Sequence, residues 1–230
     1  MCGRYTIRTN ARKLAERFRA ELSEAARDAL LPRFNVTPTT PVPVVTVASG
    51  ARQLSLMRWG LVPHWAKDQS VGVQYINARG DTVHEKRAFR DAFKRTRCLM
   101  VVDGFYEWKV VGDRSRQPYF FRMADDEPFA FAAMWSRWTA DGQTIDSCAL
   151  ITTDANELVA TVHDRMPVII DPIHYDRWMD PANTTGDGLT ELLRPYPADA
   201  MTATPVSSYV SKAGNEGPQC IEPVETSTLF

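Results

Sequence analysis

The chain predicts an α+β fold, a single compact domain over residues 1–230 with a largely antiparallel, barrel-like sheet flanked by helices. Three observations carry this. Of the 230 residues, 44% are hydrophobic and 24% charged, an ordinary globular balance. β-rich apolar runs outnumber helical patterns, and helices interrupt them irregularly, without the βαβ rhythm of a parallel sheet. No internal repeat, low-complexity block or clear linker divides the chain.

Taken in order, "CGRYTIR" reads as a short strand. Asn10 can cap a helix over "ARKLAERFRAEL", where Leu14, Phe18 and Leu22 recur at helical spacing. "RFNVTPTTPVPVV" is a proline-punctuated loop entering a strand, and "LSLMRWGLVPHW" a strand leading into a Gly/Pro-bent loop. After the short polar "YINARGD", Thr82 and Glu85 form a capping box predicting a helix over "TVHEKRAFRDAF". "CLMVVDGFYEWKVV" reads as one strand reaching a turn at Gly112–Asp113. "QPYFFRM", "PFAFAAMW" and "SCALITT" continue a meander. Asp154, with Glu157 three residues on, predicts a short helix over "DANELVATVH". "RMPVII" returns as strand, and Asp171 with Pro172 opens a helix over "DPIHYDRWM". "LTELL" is a short helix and "ATPVSSYV" an extended segment. The polar residues 211–230 are expected to wrap the surface.

Net charge is −1, so no whole-molecule field favours nucleic acid. The cations are lopsided, 21 Arg against 6 Lys. Arginine suits bidentate phosphate contact and base stacking, although a GC-rich genome enriches it equally well. The N-terminus lacks an apolar signal core, and no apolar run approaches the ~20 residues that span a bilayer. A cytoplasmic protein with reduced thiols is expected. Cysteines 2, 98, 148 and 220 show no metal spacing, and Cys98 and Cys148 lie in apolar strand runs as core residues. No metal or cofactor is expected.

The first stretch, "MCGRYT", places a cysteine directly behind the initiator methionine. Removal of Met1 would leave Cys2 with a thiol and an α-amine on one residue. These titrate near ~8.5 and ~7.7–8.0, so both nucleophilic forms are accessible at neutral pH. A 1,2-aminothiol condenses with an aldehyde to a Schiff base, and the thiol then closes a thiazolidine ring. Glu107, between Tyr106 and Trp108, reads either as a desolvated general acid–base or as a solvated partner of Lys109. His163, in "VHDRMPVII", is a residue type poised near neutral pH. Asn77 could bond a sugar hydroxyl; Arg79 and Arg87 could clamp phosphates or simply solvate a helix. Trp65 could stack on bases, whereas Trp59 reads more readily as core.

In their order, "MCGRY", "RFNVTP", "RWGLVPHWAKD", "INARGDT", "DGFYEWK", "VHDRMPVII" and "NEGPQCIEP" resemble the SOS-response-associated peptidase (SRAP) family of abasic-site processing proteins. The resemblance spans nearly the whole chain. It implies covalent capture, through the Cys2 exposed by Met1 removal, of the ring-opened aldehyde of an abasic site in single-stranded DNA. Where the imine forms but the ring does not close, β-elimination can cut the strand, so a weak abasic-site lyase activity is an expected corollary. It implies that Asn77 orients the terminal amine, that Glu107 assists proton transfer and that His163 promotes ring opening and reversal. It implies phosphate contacts from Arg4, Arg79, Arg87 and Arg165, and DNA-facing segments at Asn35, Pro38, Trp59, Trp65 and Thr152. A monomer, nucleoid-associated on damaged DNA, is the expected state. The chain departs from the pattern at Ala66, where some members carry a second tryptophan. Two rivals stay open: an N-terminal-cysteine (auto)peptidase, and a non-catalytic single-stranded DNA-binding module that leaves the position of Cys2 unexplained.

Overall fold

In a computed structural model, which describes residues 2–112 and 115–224, the chain opens with strand β1 (Tyr5–Ile7), buried at every position. The Asn10 side chain accepts from the Lys13 amide and caps α1 (Ala11–Phe18), whose Leu14 and Phe18 face the core. The helix stops at Phe18 instead of running to Leu22, because Arg19 turns left-handed and leads into the two-residue β2 (Glu21–Leu22). A helix that the sequence reading did not include, α2 (Glu24–Ala29), follows on the Ser23 cap. Then come β3 (Arg33–Val36) and a hairpin of β4 (Pro41–Ala48) and β5 (Ala51–Trp59).

The loop after β5 crosses itself closely. A Cβ on Gly60 would sit 2.7 Å from the Gly72 carbonyl oxygen, and one on Gly72 would sit 2.6 Å from that of Gly60. Only glycines permit that approach. The loop returns as β6 (Asn77–Arg79). The Thr82–Glu85 pair does not open a helix: residues 80–89 form turns, and α3 (Arg90–Arg95) begins only afterwards. Val83 and Phe89 are both buried, and their spacing of six falls off a single helical stripe.

The apolar run over 97–110 is two strands, β7 (Arg97–Val102) and β8 (Gly104–Val110). The break is at Asp103, whose buried carboxylate accepts from the Arg8 and Thr9 amides and the Thr9 hydroxyl. These bonds pin the end of β1 where the chain changes sheet. Next are β9 (Arg116–Met123), β10 (Phe129–Ala140) and β11 (Gln143–Asp154). Asn156, not Asp154, caps α4 (Glu157–Ala160); Asp154 ends β11. β12 (Arg165–Pro167) precedes the Asp171 cap, a 3-10 turn and α5 (Tyr175–Met179). The predicted helix over 189–193 is a single 3-10 turn, Thr190–Leu192. The last strand is β13 (Met201–Pro205).

Antiparallel pairing runs β5–β4–β7–β10–β11. Five strands cannot alternate direction around a closed ring, so one pair must be parallel. That pair is β11–β5, at Ser147–Arg58 and Cys148–Trp59, and it closes the barrel. A second sheet, ordered β13–β9–β8–β1–β3, packs beside it. This is the α+β, barrel-like architecture that the sequence predicts. β11 also pairs in parallel with β6, setting Leu150 opposite Asn77, and antiparallel with β12, setting Asp154 opposite Arg165. Val206, Val210 and Cys220 join Tyr106 and Phe120 in a smaller apolar cluster against β8 and β9. The end of the predicted surface segment, 225–230, and Asp113 of the predicted turn lie outside the described residues.

Candidate active site

The second sheet and the barrel each contribute two of the four predicted reactive residues. Cys2 lies just ahead of β1 and Glu107 in β8, strands joined at Tyr5–Phe105. Asn77 opens β6, and His163 follows α4, both placed by β11 and its neighbours. Across the seam, the Asn77 Nδ2 donates to the Cys2 carbonyl oxygen at 2.7 Å. His163 Nε2 lies 4.0 Å from Glu107 Oε2.

The thiol itself is not exposed, although capture through Cys2 is what the family resemblance implies. Cys2 is fully buried, and its Sγ points to the Arg4 carbonyl oxygen at 3.8 Å. Met1 still precedes it in this chain. Burial, reinforced by the nearby Glu107 charge, pushes the thiol far above its ordinary range. The Glu107 carboxyl is 3% exposed. Burial raises its pKa from 4.5 to about 7, which suits a group that must both take and give protons near neutrality.

Burial lowers the pKa of His163, and the Asp164 charge works the other way. Two contacts share its Nδ1. The Arg165 amide donates to it at 3.0 Å, and Asp164 Oδ1 lies 2.8 Å away. They serve different charge states. In the neutral ring, accepting from Arg165 leaves the proton on Nε2, facing Glu107; in the imidazolium, Nδ1–H meets Asp164. Asn77 Oδ1 is buried and has no hydrogen-bond partner among the described residues. An orphaned acceptor beside the chain start is a receptor for an incoming N–H or O–H.

The residues expected to face DNA divide in two. Arg79 is exposed and held bidentate by Asp81, at 3.1 and 2.6 Å. Trp65 is 39% exposed, with the Arg87 guanidinium 4.3 Å above its ring centre. Pro38 is half-buried in the turn before Thr39, whose φ is 70°. Arg165 is largely buried: it donates to Asp154 Oδ1 at 2.5 Å and to the Thr152 carbonyl at 2.8 Å. Thr152 is buried and bonds back to Ala78 of β6. Trp59 is fully buried; its indole N–H donates to the Ile76 carbonyl and its ring packs 5.5 Å from Tyr5, so it serves the barrel core. Asn35 is 1% exposed, and its side chain bonds Arg4 and the turn after β13 rather than facing solvent.

Asp81 and Asp154, the carboxylates that hold Arg79 and Arg165, are not among the site residues that the sequence predicts. The "RGD" spacing carries a signal for Asp81; Asp154 reads as a helix cap. A groove of about 990 Å³ beside Arg19, Arg52 and Asp176 is lined by none of the site residues. Among the described residues no cluster of His, Cys, Asp and Glu could hold a metal, and no helix is long and apolar enough to cross a membrane.

Comparison with known proteins places the chain. The profile described as "SOS response associated peptidase (SRAP)" matches residues 1–213. The abasic site processing protein YoqW of Bacillus subtilis is 38% identical over 96% of this chain and 99% of its own. The abasic site processing protein HMCES of Pongo abelii is 30% identical over 86% of this chain and 67% of its own. A Bacteroides thetaiotaomicron crystal structure shares the fold over 97% of this chain and all of its own, with a TM-score of 0.88 at 24% identity. A Bordetella bronchiseptica structure, 26% identical over 90% of this chain and all of its own, superposes with a TM-score of 0.73. A profile covering most of the chain, with relatives matched nearly end to end, shows that this protein belongs to the SOS response associated peptidase family.

Proposed function

We propose that this protein processes abasic sites in single-stranded DNA by crosslinking to them through Cys2 once Met1 is removed. The names of its relatives point to that lesion. The observation that carries the reading is the four-residue cluster: Asn77 on the Cys2 carbonyl at 2.7 Å, with the Glu107–His163 pair at 4.0 Å.

The chemistry follows from the groups. The sugar of an abasic site is mostly a closed hemiacetal; neutral His163 gives its Nε2 proton to the ring oxygen while the Glu107 carboxylate takes the hydroxyl proton, so the ring opens to the aldehyde, and that proton then passes from Glu107 back to His163. Asn77 holds the first residue by its carbonyl, so the freed amine is aimed rather than frayed. Glu107, with its pKa near 7, takes a proton from the terminal ammonium; the nitrogen attacks the aldehyde carbon and water leaves, giving the imine. The thiol sulfur then adds to the imine carbon and its proton passes to the nitrogen. The product is a thiazolidine, formed from aldehyde and aminothiol with loss of one water. Cys2 holds its proton tightly until then, which sets imine formation first and ring closure second.

The test is direct. Protein is mixed with single-stranded DNA carrying one abasic site and run on a denaturing gel. Wild type gives a shifted band, absent with Cys2→Ser and with a chain that retains Met1. A self-cleaved fragment without a shift supports the peptidase instead, and reversible retention alone supports a binding module.

A further inference from the structure

Asn35 is a buried amide whose hydrogen-bonding groups are all engaged. Its Oδ1 accepts from Arg4 Nη1 at 2.7 Å. Its Nδ2 donates to the carbonyls of Val210 at 3.2 Å, Lys212 at 3.0 Å and Asn215 at 2.8 Å. Arg4 Nη1 also donates to the Val210 carbonyl at 2.9 Å, so one edge of the guanidinium is locked against this turn. Beneath it lies the Trp108 ring, 5.7 Å from the guanidinium carbon, and the Trp108 indole donates to Ser211 Oγ at 3.0 Å. Glu216 ties the far end of the turn to the Phe34 amide at 2.8 Å.

The placement matters because of what these residues adjoin. Arg4 is two residues after Cys2, and Trp108 directly follows Glu107. The 209–216 segment therefore braces the neighbours of two reactive residues. An arginine is long and rotamer-rich; held on one edge, with Nη2 making only a long 3.5 Å bond to the Ser211 carbonyl, it offers Nε and the second Nη2 hydrogen to a phosphate without further ordering. We propose that Asn35 is a positioning residue: it aims Arg4 at a phosphate beside Cys2 and does not contact DNA itself. This rests on the proposed function, since it presumes that a nucleic-acid strand passes the site.

The experiment measures reversible binding of unmodified single-stranded DNA against salt, in a Cys2→Ser background that forms no crosslink. One phosphate contact on a single strand contributes about 0.7 to the log–log salt slope. Arg4→Gln lowers the slope by about that amount, Asn35→Ala lowers it equally, and the double variant lowers it no further. Glu216→Gln, whose amide oxygen can still accept from the Phe34 amide and which touches neither Arg4 nor Asn35, leaves the slope unchanged. Thermal melts confirm that each variant is folded; if Asn35→Ala is not, Asn35→Ser, which keeps one acceptor for Arg4, replaces it and shows a smaller decrease. A wild-type slope in a folded Asn35 variant, with Arg4→Gln reduced, overturns the inference and leaves the function standing. No effect of Arg4→Gln likewise overturns the inference alone, whereas no binding by the parent protein overturns both.

Discussion

His163 Nε2 and Glu107 Oε2 face each other at 4.0 Å across the seam between the barrel and the second sheet. Burial favours the uncharged form of each: it raises the carboxyl to about 7 and lowers the imidazole. The pair can therefore hold one proton between them near neutral pH. The crosslinking rate is expected to rise as pH passes through about 7, where Glu107 ionises, and Glu107→Gln should flatten that rise. Rates on an abasic oligonucleotide from pH 5 to 9 measure it.

The same burial has a consequence for stability. The folded pKa of Glu107 lies above its ordinary 4.5. Its contribution is thus fully present below about pH 4.5 and is lost as pH rises through about 7. Glu107→Gln should be more stable than wild type at pH 8, by up to about 3 kcal/mol, with the advantage gone at pH 4.5. Paired melts at the two pH values decide it.

Cys2→Ala keeps a terminal amine after Met1 removal but has no sulfur to close the ring. Its imine is left open to β-elimination. More strand scission than wild type, with no stable shifted band, is the expected outcome on a gel. Scission equal to wild type would show that ring closure does not govern the partition.

Two tryptophans six residues apart, Trp59 at the end of β5 and Trp65 in the loop after it, should behave oppositely. Trp65→Ala removes an exposed ring beside Arg87 and is expected to weaken single-strand binding by about 1–3 kcal/mol with the melting temperature nearly unchanged. Trp59→Ala empties a fully buried core site and should cost about 3–5 kcal/mol of stability. Binding titrations and denaturant unfolding of both variants separate the roles.

Asp154 is 84% exposed at its side chain yet holds the buried Arg165 at 2.5 Å. A phosphate approaching Arg165 must displace it. Asp154→Asn should tighten single-strand binding at low salt by a few-fold, in keeping with the roughly 0.2–1 kcal/mol of an exposed ion pair. The gain should vanish as salt is raised.

What the sequence made legible was mostly local. Asn10 and Asp171 cap their helices as expected, because capping needs only the next three residues. The Thr82–Glu85 pattern misled for the converse reason: burying both Val83 and Phe89 overrides a local cap. The division of 97–110 at Asp103 depends on Arg8 and Thr9, far back in the chain, so the apolar run alone shows one strand. The parallel β11–β5 closure likewise leaves no local trace. Glu107 and His163 are 56 positions apart, and no spacing rule joins them; the family resemblance named them together, and the folded chain sets them 4.0 Å apart. The burial of Cys2 had no signal at all, since a second residue is ordinarily frayed.

β11 shuts the barrel through β5 and, a few residues on, carries β6 with Asn77 and β12 beside His163. One strand is thus both keystone and jig. A mutation that weakens it cannot loosen the workbench without dulling the tool, so competence toward the lesion and global integrity should disappear together, in a single sharp transition, when the protein is heated or titrated with urea.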